Sequence, residues 1–157
     1  MGLEDVSSPN HVIGTGTPAS CTSAAVIAAV TAGGIVTFNC GPDPATITLT
    51  QIAKVRNSTE KPVIDGGGKV TLSGGGANRI VYTNTCDTSL GSVSGNCPYA
   101  PAYPQITVQN ITLADGDSTN STNDPGQILA AVPSHSWAAA QGCQIEIRAQ
   151  SLHDQRP

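Results

Sequence analysis

Short runs of alternating apolar and polar residues dominate the first two thirds of the chain. In the run Ile35–Phe38, Val36 and Phe38 fall on one face, which is the two-residue period of a β-strand. The turn Gly41–Pro44 ends this run, because a proline has no N–H to continue a strand ladder. The same pattern predicts further strands over Thr46–Leu49, Lys69–Leu72, Arg79–Tyr82 and Gln105–Leu113.

Two of these runs are near copies of each other. Thr46–Leu49 reads Thr-Ile-Thr-Leu and Lys69–Leu72 reads Lys-Val-Thr-Leu, about 23 residues later, and a period of roughly 20–50 residues indicates a solenoid. Stacked coils bury an apolar column that no single coil can bury alone. Between the copies, Asp65–Gly68 predicts a turn. Asp65 is either a ligand or acid there, or a turn-forming residue, and the second interpretation is favoured.

One helix is expected before the first strong strand. Thr22 or Ser23 can cap a helix that runs to Val30, and Gly33 and Gly34 end it. Three residues are expected to face inward: Val26, Ile27 and Val30.

The order of these elements resembles a known family. Helix, Gly-Gly, Val-Thr-Phe-Asn-Cys-Gly, Thr-Ile-Thr-Leu, Ile-Asp-Gly-Gly-Gly and Val-Thr-Leu-Ser-Gly-Gly resemble the N-terminal cap and first coils of secreted right-handed parallel β-helix proteins of the pectin-lyase-like superfamily. The resemblance covers about Val12 to Thr112. It implies an all-β fold, a short right-handed single-stranded parallel β-helix of about three to five coils with an N-terminal capping helix.

The resemblance also implies a location and a type of work, but no activity. The expected location is extracellular or at the cell surface, with the leader outside this sequence, and the expected partner is a polysaccharide or cell-surface ligand. The polygalacturonase branch carries an Arg-Ile-Lys motif, whereas Arg79 and Ile80 are followed here by Val81. The role of that lysine is therefore not carried over.

The sequence divides into three parts on this interpretation. Residues 1–11 form a flexible lead, residues 12–125 the β-helix with its cap, and residues 126–157 an atypical tail. The tail loses the Thr/Gly-rich pattern and contains the only Trp. Two explanations are open: a coding frame that shifts near Gly126, or a genuine terminal cap. In either case the tail must cover the open C-terminal end, or the protein will self-associate through it.

Charge and composition exclude some classes of function. The formal net charge is −4 and no run of basic residues occurs, so nucleic acid is not an expected partner. No stretch has the roughly 18–20 apolar residues of a membrane span. Aromatic residues make up only 3%, so aliphatic side chains must fill the core.

Five cysteines need an assignment. The resemblance implies that Cys21 and Cys40 lie at one rim of the helix and pair. Cys86 and Cys97 bracket a polar insertion, and a bridge between them would stabilise the fold by roughly 2–3 kcal/mol. The alternative is that all are reduced, buried thiols. Their spacing does not fit zinc, and Cys143 is left over.

One loop has the composition of a cation site. Asp115, Asp117, Asn120 and Asp124 supply oxygens of the kind that Ca²⁺ prefers, although the loop lacks the EF-hand pattern. A solvated loop is the simpler interpretation. Asn110, within Asn-Ile-Thr, is interpreted as a coil-corner residue or a glycan acceptor.

Two functions from different classes follow. The leading one is the N-terminal portion of a secreted or cell-surface β-helix protein that binds carbohydrate or another surface without catalysis. The alternative is a small secreted hydrolase or lyase that acts on a polysaccharide or similar extracellular substrate, with Ca²⁺ as its candidate cofactor. A lyase of the resembled kind needs several carboxylates around calcium and a basic residue, and the sequence has only seven Lys and Arg. Histidines His11, His135 and His153 are too scattered to indicate a catalytic or metal-binding cluster.

Overall fold

The computed structural model describes residues 2–84, 87–91, 104–117, 127–129 and 146–148. Within these ranges the protein is mostly strand, with little helix. In sequence order the elements are β1 (His11–Ile13), α1 (Ser23–Ala32), β2 (Ile35–Phe38), β3 (Ala45–Thr48), β4 (Ala53–Lys54), β5 (Val63–Ser73), β6 (Val81–Thr83), β7 (Thr107–Ala114), β8 (Gln127–Leu129) and β9 (Glu146–Arg148). Two short 3₁₀ turns occupy Pro18–Ser20 and Thr88–Leu90.

The strands form two sheets. The larger sheet has the order β1-β2-β5-β7-β9, with β3 paired to β5, and all of its pairs are parallel. The smaller sheet has the order β4-β6-β8, in which β4 and β6 are parallel and β8 is antiparallel. The expectation of a mainly-β fold with parallel strands is therefore confirmed. The tail contributes β8 and β9, and its other residues lie outside the described ranges.

The helix forms where its capping residues predict it. The side chain of Thr22 accepts a hydrogen bond from the N–H of Ala25 at 3.3 Å, and Gly33 ends the helix with a φ of 82°. The helix packs against β1 and β4. Three of its residues are buried: Val26, Ala29 and Val30. Ile27, expected to face inward with them, is only half-buried, and its exposed side lines a groove described below.

The turn expected at Asp65–Gly68 is a bend inside one long strand. Four residues of β5 lie between the pairs Asp65–Gln109 and Val70–Ile111, whereas Asn110 alone lies between them in β7. Asn110 has a φ of 49°, so it occupies the corner position that the sequence predicts. A Cβ at Gly66 would lie 2.6 Å from the Asn110 carbonyl oxygen, and only glycine permits this close approach of two backbones.

Aliphatic residues from neighbouring strands form the core, as the low aromatic content predicts. Ile47 and Leu72 are buried opposite each other, and Val36 and Ile64 form a second such pair. The predicted repeat is displaced, because Ile47 pairs with Leu72 rather than with Val70, which a spacing of about 23 residues requires. A shift of two residues leaves every side chain on its own face, so the alternation alone cannot distinguish the two registers.

Candidate functional site

A groove of about 500 Å³ lies beside α1, β4 and the turn at Thr88–Leu90. It is lined by Ile27, Thr31, Thr50, Gln51, Ile52, Lys54, Arg56, Asn78, Ser89 and Leu90. The aliphatic side chains come from Ile27 of α1, Ile52 just before β4 and Leu90 of the turn, and hydroxyl, amide and cationic groups surround them. The groove therefore offers apolar contact together with several hydrogen-bond donors.

Two cations reach this groove because of strand alternation. Val55 lies between Lys54 and Arg56, is 0% exposed and belongs to the core. Its N–H donates to the Tyr82 carbonyl at 2.9 Å, so the extended pairing of β4 with β6 continues through it. Since successive side chains of a strand point to opposite faces, Lys54 and Arg56 share the face that lies away from the core.

An aromatic ring holds the first of these cations. The Lys54 ammonium lies 5.6 Å from the centre of the Tyr82 ring, and the Arg79 guanidinium lies 5.7 Å from the same centre. A cation over a ring at this distance gains about 0.5–2 kcal/mol, more when the pair is desolvated. Tyr82 is buried, and its hydroxyl accepts a hydrogen bond from Asn84 at 2.9 Å. The ring is therefore held in place, and its contact with the ammonium limits the conformations of the Lys54 side chain.

The side of the groove at Ser89 and Leu90 is fixed by one buried amide. Asn57 donates from Nδ2 to the carbonyls of Asn84 and Gly91, both at 2.9 Å, and to that of Asp87 at 3.3 Å. Its own N–H donates to the Leu90 carbonyl at 2.8 Å. One side chain therefore ties three backbone positions around this turn to the segment after β4, which carries Arg56.

A carboxylate lies near Lys54 at this turn. The hydroxyl of Ser89 donates a hydrogen bond to Asp87 and lowers the pKa of that carboxyl below its ordinary value. The Ser89 N–H and the charge of Lys54 act in the same direction, and partial desolvation opposes them. Asp87 is therefore ionised at neutral pH and caps the Thr88–Leu90 turn.

The groove is suited to binding a polar or anionic ligand. Its lining combines hydroxyls, amides and two cations, groups that can fix the orientation of such a ligand.

The loop expected to bind calcium is only partly described. The Asp115 carboxylate accepts a hydrogen bond from the Ser73 hydroxyl at 3.0 Å, and the Asp117 N–H donates to the Asn78 carbonyl at 3.1 Å. Asn120 and Asp124 lie outside the described residues. Over the described ranges, no group of three His, Cys, Asp or Glu side chains is placed to hold a metal ion.

The cysteines are also partly described. Cys21 and Cys40 form a disulfide with their Cα atoms 5.6 Å apart, the pairing that the resemblance implies. Both are buried, at the junction between the segment before α1 and the end of β2. Cys86, Cys97 and Cys143 lie outside the described residues.

Asp65 adopts the turn-forming role favoured from the sequence. Its Oδ1 accepts from the Gly67 N–H at 2.7 Å, within the bend of β5. Its Oδ2 accepts from Asn110 at 3.0 Å and from Gln109 at 2.7 Å. Asn110 therefore bonds across the bend to a carboxylate of the neighbouring strand.

Comparisons with protein-family models, with curated proteins and with solved structures each gave no match. In the part of the protein that the structure describes, no helix has the length and apolarity needed to cross a membrane.

Proposed function

We propose that the protein is part of an extracellular right-handed parallel β-helix, and that the groove at Lys54 and Arg56 binds carbohydrate without catalysis. The strand register supports the β-helix. The parallel partners Ile47 and Leu72 lie 25 positions apart, and β4, a strand of the smaller sheet, lies between them in the sequence. Parallel crossovers within one sheet are right-handed in about 98% of cases, which supports the handedness. The helix α1 beside β1 fits the expected N-terminal cap.

The observation that carries the binding function is the composition of the groove. Sugars present hydroxyl groups at their edges and C–H groups on their ring faces. The amides of Gln51 and Asn78 can bond the hydroxyls, while Ile27 and Ile52 offer apolar contact to the ring faces. Lys54 and Arg56 add positive charge, which favours a sugar that carries a carboxylate or sulfate.

Titration calorimetry with a galacturonate oligosaccharide and its uncharged methyl ester tests this proposal. We expect the charged ligand to bind more tightly, because each charge-assisted hydrogen bond contributes about 1.5–3 kcal/mol. The double variant Lys54→Ala/Arg56→Ala should weaken binding of the charged form at least about tenfold, since about 1.4 kcal/mol corresponds to a factor of ten. Binding of the methyl ester should change little.

Lys61→Ala is the matched control, because Lys61 is exposed and is not among the groove residues. An equal loss of affinity in this control would indicate non-specific attraction and contradict the proposed site. The same would follow if neither sugar bound to the wild-type protein. Release of shortened or unsaturated sugar products during the titration would instead favour the alternative, a secreted hydrolase or lyase.

A further inference from the structure

The outer face of the larger sheet contains two polar residues that are almost fully buried. Ile64 and Val108 pair with each other and face the core. Asp65 and Gln109, one position later in each strand, therefore point to the opposite face. Even so, Gln109 is only 1% exposed and Asp65 only 6%. Side chains on the outer face of a sheet reach such values when another segment covers them.

The covering contact comes from the N-terminal arm, residues 2–10. The Glu4 N–H donates to Oε1 of Gln109 at 2.9 Å, and Nε2 of Gln109 donates to the Glu4 carbonyl at 3.1 Å. One side-chain amide thus binds both backbone groups of a single residue, as a neighbouring strand would. Both bonds go to the backbone of Glu4, so they place no requirement on the side chain at that position.

A buried carboxylate prepares Gln109 for this contact. Oδ2 of Asp65 accepts from Nε2 of Gln109 at 2.7 Å and from Nδ2 of Asn110 at 3.0 Å. A carboxylate can only accept, so it fixes the amide with its N–H₂ group toward Asp65 and leaves Oε1 to face the arm. The donor and acceptor are therefore in place before any peptide arrives.

The rest of the arm is held at its far end. The Asn10 N–H donates to the Ile35 carbonyl at 2.9 Å, and Oδ1 of Asn10 accepts from the Ile35 N–H at 2.8 Å. Between these two anchors the side chain of Asp5 accepts a hydrogen bond from its neighbour Ser7. Leu3 of the arm is 47% exposed. Hydrogen bonds thus hold the arm near both of its ends.

We propose that this outer face is a docking site for an extended peptide, and that the Gln109 amide binds the backbone of this peptide. In this structure the protein's own N-terminal arm occupies the site. The occupant is peptide because the contact matches one backbone N–H and one backbone carbonyl of the same residue, a pair that every extended peptide carries. The arm then acts as a competitor in cis. Its removal frees the site for an extended segment of another protein, in the manner of strand addition.

A protein that lacks residues 2–8 tests the site, since it keeps the Asn10 anchor. A fluorescent peptide with the sequence of residues 2–8 should bind this shortened protein saturably. A scrambled peptide of the same composition should bind with a Kd within about threefold of that of the unscrambled peptide, because recognition is through the backbone. The intact protein should bind at least about tenfold more weakly, because a tethered arm competes at an effective concentration on the order of millimolar.

Gln109→Met in the shortened protein keeps the length of the side chain and removes both hydrogen bonds. This change should weaken peptide binding at least about tenfold. Thr112→Val, at an exposed position of the same strand, should leave peptide binding unchanged. Independently of any variant, the side-chain amide resonance of Gln109 should shift as peptide is added. A folded shortened protein that binds no peptide at millimolar concentration, or whose Gln109 resonance does not move, overturns the proposal. Strong preference for the unscrambled peptide overturns backbone recognition.

Discussion

Gly14 lies against the Cys21 sulfur so closely that no side chain fits between them. A Cβ at Gly14 would overlap Sγ of Cys21 and come within 2.5 Å of the Asn39 carbonyl oxygen. The residue also has a φ of 92°, a conformation that other residues rarely adopt. Only glycine therefore fits at position 14, where the segment after β1 passes over the disulfide.

This contact predicts a large effect of Gly14→Ala. The unfavourable φ and the overlap should together lower the free energy of unfolding by about 2–4 kcal/mol. Gly16→Ala is a matched control, because Gly16 has a φ of 98° but its nearest atom to an added Cβ lies 3.9 Å away. Urea unfolding of both variants separates the two causes. Equal losses in the two variants would show that the overlap at Cys21 is relieved without cost.

The local parts of the fold could be predicted because each depends on a few neighbouring residues. The helix begins after Thr22 and ends at Gly33 through capping and backbone freedom, which are properties of those residues themselves. The register of β3 on β5 is different. Ile47 can face Val70 or Leu72 with the same side chains buried, so only the packing of the whole column selects Leu72.

The groove was missed although its signal is present in the sequence. Lys54-Val55-Arg56 is a cation, a buried aliphatic residue and a cation, which places both charges on one face of a strand. The sequence does not show which other residues the fold brings next to these two charges. Ser89 reaches the groove through the hydrogen bonds of Asn57, and Ile27 through the packing of α1 on β4.

The disulfide provides a second prediction. Replacing Cys21 and Cys40 together by serine should lower the free energy of unfolding by about 3 kcal/mol, the value expected for closing a loop of this length. Cys143→Ser is the control and should have little effect. A non-reduced digest examined by mass spectrometry should contain the Cys21–Cys40 pair. Cys143 linked to Cys21 or Cys40 would contradict this pairing, and Cys143 linked to Cys86 or Cys97 would contradict the second pairing expected from the sequence.

The turn beside the groove should make stability depend on pH in a defined direction. In the folded protein the Ser89 hydroxyl lowers the pKa of Asp87, so ionised Asp87 stabilises the fold at pH values above its unfolded pKa of about 4. This contribution is lost as the pH falls through the lower pKa of the folded state. Ser89→Ala should therefore reduce the melting temperature at neutral pH, and this effect should diminish as the pH falls through the lowered pKa of Asp87.

Carboxyl NMR titration checks the cause of this effect. The pKa of Asp87 should rise in Ser89→Ala, because the hydroxyl makes the largest contribution. Asp5 is an internal control, since the N–H and hydroxyl of Ser7 lower its pKa independently. An unchanged pKa of Asp87 in the variant would assign the shift to its other neighbours.

The last prediction concerns calcium at the loop that begins with Asp115. If Asp117 and its neighbours bind Ca²⁺ in the folded state only, calcium should raise the stability by about 2.7 kcal/mol at one hundred times Kd, a shift of several degrees in melting temperature. Asp117→Ala should abolish the shift, whereas Asp43→Ala, which removes an exposed carboxylate from another turn, should preserve it. Identical melting in calcium and in EDTA would leave the Asp115 carboxylate with a structural role, as the acceptor for Ser73. A calcium-dependent lyase would then have no support from this loop, and the binding function of the groove would stand alone.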